Sequence, residues 1–343
     1  MQPRRDRRRS AGKPGESARV RRSRYAVYAW GVLLYNIAVI VWGAYVRASG
    51  SGAGCGSHWP TCHGEVVPRA PQLETLIEFS HRLTSGLALL AVVGLFAWAW
   101  RAFPKGSPVR LGAALSLVFI IIEALIGAGL VLFGLTAKND SVARAISLAL
   151  HLVNTFLLLG ALALTAWWAS GGRPVRLRGQ GGLGWAFAGG LLAVMALGAT
   201  GAVTALGDTL FPAGSLAEGI AQDFSPTAHF LIQLRVIHPV LAVAAGIYTI
   251  TVGTLSSVMR RGAVVRRLAR TLAGIFVAQL GVGIINLALL APVPLQLIHL
   301  LLADLLWVVL VLTAAAALAA PATVDEPAGA ADLALRPGKT GAW

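Results

Sequence analysis

The sequence predicts an all-α integral membrane protein whose eight transmembrane helices form two pseudo-symmetric four-helix bundles. Three observations carry that expectation. The chain has 343 residues, is 56% hydrophobic and only 13% charged, and contains repeated apolar runs of about 20 residues, the length that crosses a bilayer. Its cationic residues collect in alternate loops. Its two halves repeat one another in outline.

The apolar runs place spans at 26–46, 76–100, 111–135, 145–168, 183–206, 229–256, 268–291 and 294–318. Positive charge retained inside sets their orientation. The 101–110 loop (Arg101, Lys105, Arg110), the 169–182 loop (Arg173, Arg176, Arg178) and the 257–270 loop (Arg260, Arg261, Arg266, Arg267, Arg270) fall on the same side as the N-terminus, whereas the 207–228 loop has no Lys or Arg. Both termini are therefore expected in the cytoplasm. The Ala, Gly and Arg content suits a bacterial plasma membrane.

The net charge of +15 is clustered: residues 1–24 hold ten of the 29 Lys and Arg. Such a block reads as a solvated cytoplasmic arm. It has no apolar stretch for a signal peptide, and a nucleic-acid partner is not expected. The organisation read from the chain is thus a basic arm at 1–24, one four-helix half at 25–170, another at 183–318, and a cytoplasmic tail at 319–343.

The only cysteines, Cys55 and Cys62, lie in the first outer loop, GSGAGCGSHWPTCHGE. An isolated pair in an oxidising compartment favours a disulfide. With His58 and His63 beside them, a metal site is the rival reading.

The repeat locates the chemistry. ISLALHLVNTF in the fourth span matches PLQLIHLLLADLLW in the eighth, aligning His151 with His299. HRLTSGLALLAV in the second matches HPVLAVAAGIYT in the sixth, aligning His81 with His238. GAYVRASG closes the first span and GAVTALG the fifth, while EALIGAGL in the third aligns Glu123 with Gln279 of the seventh. Parallel repeats of this kind are related by an axis along the membrane normal.

Each half so offers one histidine on its second span and one on its fourth, all near the outer ends. A lone histidine on an apolar helix usually makes an ordinary polar contact. Four at equivalent positions of a repeat point to ligands, and paired imidazoles from facing helices suit axial ligation of haem iron.

The halves differ in charge. Glu78 precedes His81 by three residues, where Arg235 precedes His238. Ionisable groups at bilayer depth cost about 2.5–3.5 kcal/mol each, so they are retained for a purpose. A carboxylate beside a haem suits proton transfer or stabilisation of a developing cation, and an arginine suits a propionate. The asymmetry assigns chemistry to the N-terminal half and electron storage to the C-terminal half. A plain salt link from Glu78 to Arg82, four residues on, is the structural alternative.

The ordered set GSGAGCGSHWPTCHGE, EFSHR, ALHL, RVIHP and LIHLLLADLLW resembles the haem A synthase family over nearly all of residues 25–318. The resemblance implies oxidation of the C8 methyl of haem O, by successive hydroxylations and loss of water, to the formyl group of haem A used by cytochrome oxidase. His81 and His151 would ligate the substrate iron, and His238 and His299 a haem b cofactor. Glu78 would be the catalytic side chain, and Cys55–Cys62 a disulfide near the substrate. Arg82 and Arg235, with Arg47 and Trp59 behind them, would contact propionates or pack the loop. The implied partners are an enzyme that makes haem O and an electron acceptor. A di-haem electron carrier explains the four histidines without Glu78, and a transporter explains the repeat alone.

Overall fold

The computed structural model describes residues 14–69, 71–176 and 178–319. Residues 1–13 of the expected arm and 320–343 of the expected tail lie outside them. Among the described residues ten α-helices follow in order: α1 (Pro14–Ala48), α2 (Leu73–Ala102), α3 (Pro108–Leu132), α4 (Val142–Ala169), α5 (Gly181–Leu210), α6 (Leu216–Asp223), α7 (Phe230–Gln233), α8 (Ile237–Met259), α9 (Ala263–Ala288) and α10 (Val293–Ala317). Eight segments of the described residues are long and apolar enough to cross a membrane, α7 and α8 counting as one. This is a multi-pass membrane protein with every predicted span present.

The differences from the expected spans have local causes. α1 starts at Pro14, inside the expected arm, with proline at the first helical position, where its missing N–H is no loss. α3 starts where Ser107 accepts from the Val109 amide ahead of Pro108, and α4 where Ser141 accepts from the Arg144 amide, both satisfying otherwise unpaired donors. The sixth span is broken by a 3₁₀ turn, Leu234–Val236. Pro239 follows, and its ring and absent N–H oppose a regular bond to the carbonyl of Arg235. The 207–228 loop holds the short helix α6, which begins with Ser215 accepting from the Glu218 amide.

α1 packs on α2 and α4, α2 on α3, and α3 on α4. Likewise α5 packs on α8, α8 on α9, α9 on α10, and α10 on α5. The two circuits meet where α4 touches α5 and α10, and where α1 touches α10. Tyrosine hydroxyls fasten α1 to its antiparallel neighbour: Tyr25 donates to Leu95 O, Tyr28 to Ala91 O and Tyr35 to Thr84 O at 2.9–3.2 Å. α4 and α10 are the most buried spans. At their meeting, Trp307 lies nearly parallel to Phe156 with ring centres 5.1 Å apart, and its indole N–H donates to Phe156 O.

Candidate functional site

The first turns of α2 hold the outer loop. Cys55 and Cys62 are joined by a disulfide with a Cα–Cα distance of 4.4 Å, and both are fully buried. Their sulfurs are therefore not thiolate ligands, which settles the choice between staple and metal site. Gly54 is required here, since a Cβ would stand 2.4 Å from the Glu74 carbonyl oxygen. The close approach lets the Thr75 hydroxyl donate to Gly54 O at 2.7 Å.

Glu78 is 4% exposed. Its Oε2 accepts from the Cys55 amide at 2.9 Å, and its Oε1 accepts from Arg82 Nε and Nη2 at 3.1 and 2.5 Å. The other end of the Arg82 guanidinium donates to His58 O and Thr61 O at 2.6 Å. The salt link weighed as an alternative is thus present, and it forms one unit with the disulfide loop. Each of the three Arg82 nitrogens donates to a protein group. Trp59 is 40% exposed on the same loop.

The four histidines divide into two pairs. His81 on α2 and His151 on α4 each have an Nδ1 without a partner among the described residues. His151 Nε2 lies 3.1 Å from Glu123 Oε1. Glu123 also accepts from Thr155 Oγ1 and Asn154 Nδ2, each at 2.5 Å. In the second pair, the His238 and His299 rings have centres 6.3 Å apart. Two imidazoles bound to opposite sides of one metal ion, at ligand distances of about 2.0–2.1 Å, put their ring centres about 6 Å apart. His299 Nδ1 has no partner among the described residues, and Gln279 Nε2 lies 3.3 Å from its Nε2. His238 Nδ1 is 3.3 Å from Thr200 Oγ1.

Each imidazole faces a glycine on a neighbouring helix. A Cβ at Gly43 would fall 2.8 Å from Cε1 of His81, and one at Gly201 2.9 Å from Cε1 of His238. The corresponding approaches are 3.7 Å for Gly127 to His151 and 3.1 Å for Gly283 to His299. Gly43 and Gly201 occupy matching places in GAYVRASG and GAVTALG, as Gly127 and Gly283 do behind Glu123 and Gln279. This register is present in the repeat itself.

Arg235 is half-buried between two acids, with Nη1 3.0 Å from Asp208 Oδ1 and Nε 3.0 Å from Asp223 Oδ1. Its Nη2 has no partner among the described residues. Arg47 serves a different end: it donates to Ala205 O and Thr209 Oγ1 at 2.7 and 2.8 Å and to Gln296 Oε1 at 3.1 Å, tying α1 to α5 and α10. Asp304, in the LIHLLLADLLW segment, is fully buried with both carboxyl oxygens unpartnered among the described residues. The sequence reading passed over it, as it did Asn154 and Thr155.

Comparison with known proteins fits this arrangement. The chain is 60% identical over 296 residues to a Thermus thermophilus protein named protoheme IX farnesyltransferase, a match covering 86% of this chain and 49% of that protein. It is 46% identical over 98 residues to the heme A synthase of Halalkalibacterium halodurans, covering 29% of this chain and 33% of the relative. To the heme A synthase of Geobacillus kaustophilus it is 39% identical over 137 residues, covering 40% and 41%. The chain spans about half the length of the first of these relatives. The family model for cytochrome oxidase assembly protein, COX15-CtaA, matches residues 26–311, so the chain belongs to that family.

Proposed function

We propose that this chain is a haem A synthase, oxidising the C8 methyl group of haem O to a formyl group. The observation that carries the proposal is the pairing of four histidines at equivalent places of a repeat, with a carboxylate behind one pair and an amide behind the other. Relatives named heme A synthase supply the reaction.

In this reading the halves 25–170 and 183–318 are related by an axis along the membrane normal. His81 and His151 hold the iron of the substrate. His238 and His299, 6.3 Å apart, hold a haem b, which supplies one-electron redox chemistry when bound. The glycines facing the rings and the unpartnered ring nitrogens fit both groups. Glu78 is the carboxylate assigned to the oxidation: it lies three residues before His81, and its charge favours positive charge developing at the methyl carbon. Arg82 balances that charge and holds the disulfide loop beside the substrate. The Arg235 Nη2, buried and unpaired, is the donor assigned to a propionate. Both termini face the cytoplasm of a bacterial cell, and the disulfide loop lies outside. A haem O-forming enzyme is the proposed partner, supported by the half-length match to a protoheme IX farnesyltransferase.

The test is to co-express the chain with a haem O source, extract all haems and identify them by mass. Haem A or its hydroxylated precursor, together with haem b, is expected. Haem b alone with haem O unconsumed would replace the proposal by a di-haem electron carrier.

A further inference from the structure

The clearest difference between the two histidine pairs is what stands behind the ligand on the last span of each half. Behind His151 is Glu123 at 3.1 Å, a carboxylate receiving two further short bonds from Asn154 and Thr155. A carboxylate filled by donors on every side is the pattern of the ionised form, which can only accept. Behind His299 is Gln279, a neutral amide at 3.3 Å. The residues at the places of Asn154 and Thr155 are Leu302 and Ala303. The carboxylate acceptor and both of its side-chain supports on α4 are thus missing together from the second half, where an amide nitrogen faces the ring, which a packing requirement alone does not explain.

A hydrogen-bond acceptor behind a ligating imidazole fixes the ring and raises its basicity. A carboxylate does so, whereas the Gln279 nitrogen that faces His299 can only donate and gives the ring no such push; a more basic ligand favours the oxidised metal. Asn154 also donates to Phe119 O at 2.9 Å, locking the supports to α3 as well as to α4.

We infer that Glu123 is a positioning residue, held by Asn154 and Thr155, that makes His151 the more strongly donating ligand and sets the substrate-side iron at a lower reduction potential than the iron on His299. Electrons released in the N-terminal half then run downhill to the C-terminal half. The inference rests on the proposed function, because it takes both pairs to be iron ligands.

The test exchanges the two side chains in the full-length chain purified in detergent, with potentials read by spectroelectrochemical titration. Gln279→Glu is expected to shift the resident haem towards the oxidised form by about tenfold, which is about 59 mV for one electron. Glu123→Gln, prepared with haem O bound, is expected to shift the substrate-side iron the opposite way. Unchanged potentials with haem retained would overturn the inference. So would loss of haem from Gln279→Glu, since a more basic ligand should hold iron at least as firmly. If Glu123→Gln fails to accumulate, Gln279→Glu decides alone. Wild-type protein isolated without any haem would instead overturn the functional reading, and the inference with it.

Discussion

Alanine at Gly201 tests the ligand assignment through a residue that carries no chemistry. The added Cβ would lie 2.9 Å from Cε1 and 3.4 Å from Nδ1 of His238. Contacts inside 3.0 Å are not tolerated, so the ring or α5 must move. Overfilling a packed site costs about 1–3 kcal/mol, equivalent to about five- to 150-fold in affinity. If His238 holds haem b, that cost appears as lost haem. The glycine series grades the effect: Gly283→Ala, at 3.1 Å from His299, should weaken haem b less than Gly201→Ala. On the substrate side, Gly43→Ala, at 2.8 Å from His81, should disturb haem O binding most, and Gly127→Ala, at 3.7 Å from His151, least. The assay is the haem-to-protein ratio of purified variants, with haem b and haem O separated by chromatography. Full haem b occupancy in Gly201→Ala, or greater haem O loss in Gly127→Ala than in Gly43→Ala, would refute the argument.

Glu78→Ala leaves a buried guanidinium without its ion pair and frees the Cys55 amide. Breaking such a pair costs about 3–5 kcal/mol, so a lower melting temperature and faster proteolysis of the outer loop are expected. Glu78→Gln keeps a hydrogen-bonding side chain and should hold the loop better; normal haem A output from it would remove Glu78 from the oxidation. Cys55→Ser should loosen the outer loop while leaving haem b in place, and equal loss of both haems would show that the staple is not local. Asp304→Asn replaces an unpartnered carboxyl with a neutral group of the same shape. Since a carboxyl without partners at that depth is costly in either protonation state, its expression and thermal stability should match or exceed wild type; a large loss would reveal a polar partner.

The membrane spans were legible because an apolar run of bilayer length is legible whatever it packs against. α6 was not, since LAEGIAQD is too short and too polar to give a span signal. The break before α8 was readable in principle from Pro239. Among the site residues, the histidines emerged because the repeat aligned them, and the Glu123–Gln279 difference emerged with them. The link from Glu78 to the Cys55 amide could not be read, because it joins a helix to a loop 23 residues away in sequence. The opposing glycines were obscured by number: with 39 in the chain, only the two halves laid in register single out the four that face imidazoles. Asn154 and Thr155 look like ordinary polar residues of α4 until Glu123 is seen between them.

The contact between α4 and α10 has a mechanical consequence. Phe156 and Trp307 are 1% and 3% exposed, they stack, and the indole is bonded to backbone across the contact. Gly160 brings α4 close behind the indole, where a Cβ would stand 3.4 Å from Trp307 Nε1. Repeat-built carriers move cargo by rocking one repeat against the other around a central site, and that requires an interface able to part. This one is close-packed and bonded, so sliding it open would strip an aromatic pair and strand a buried N–H. The contact thus opposes a rocking motion of that kind, and under the proposed function it would stand as a fixed wall between the two haem sites, crossed by electrons.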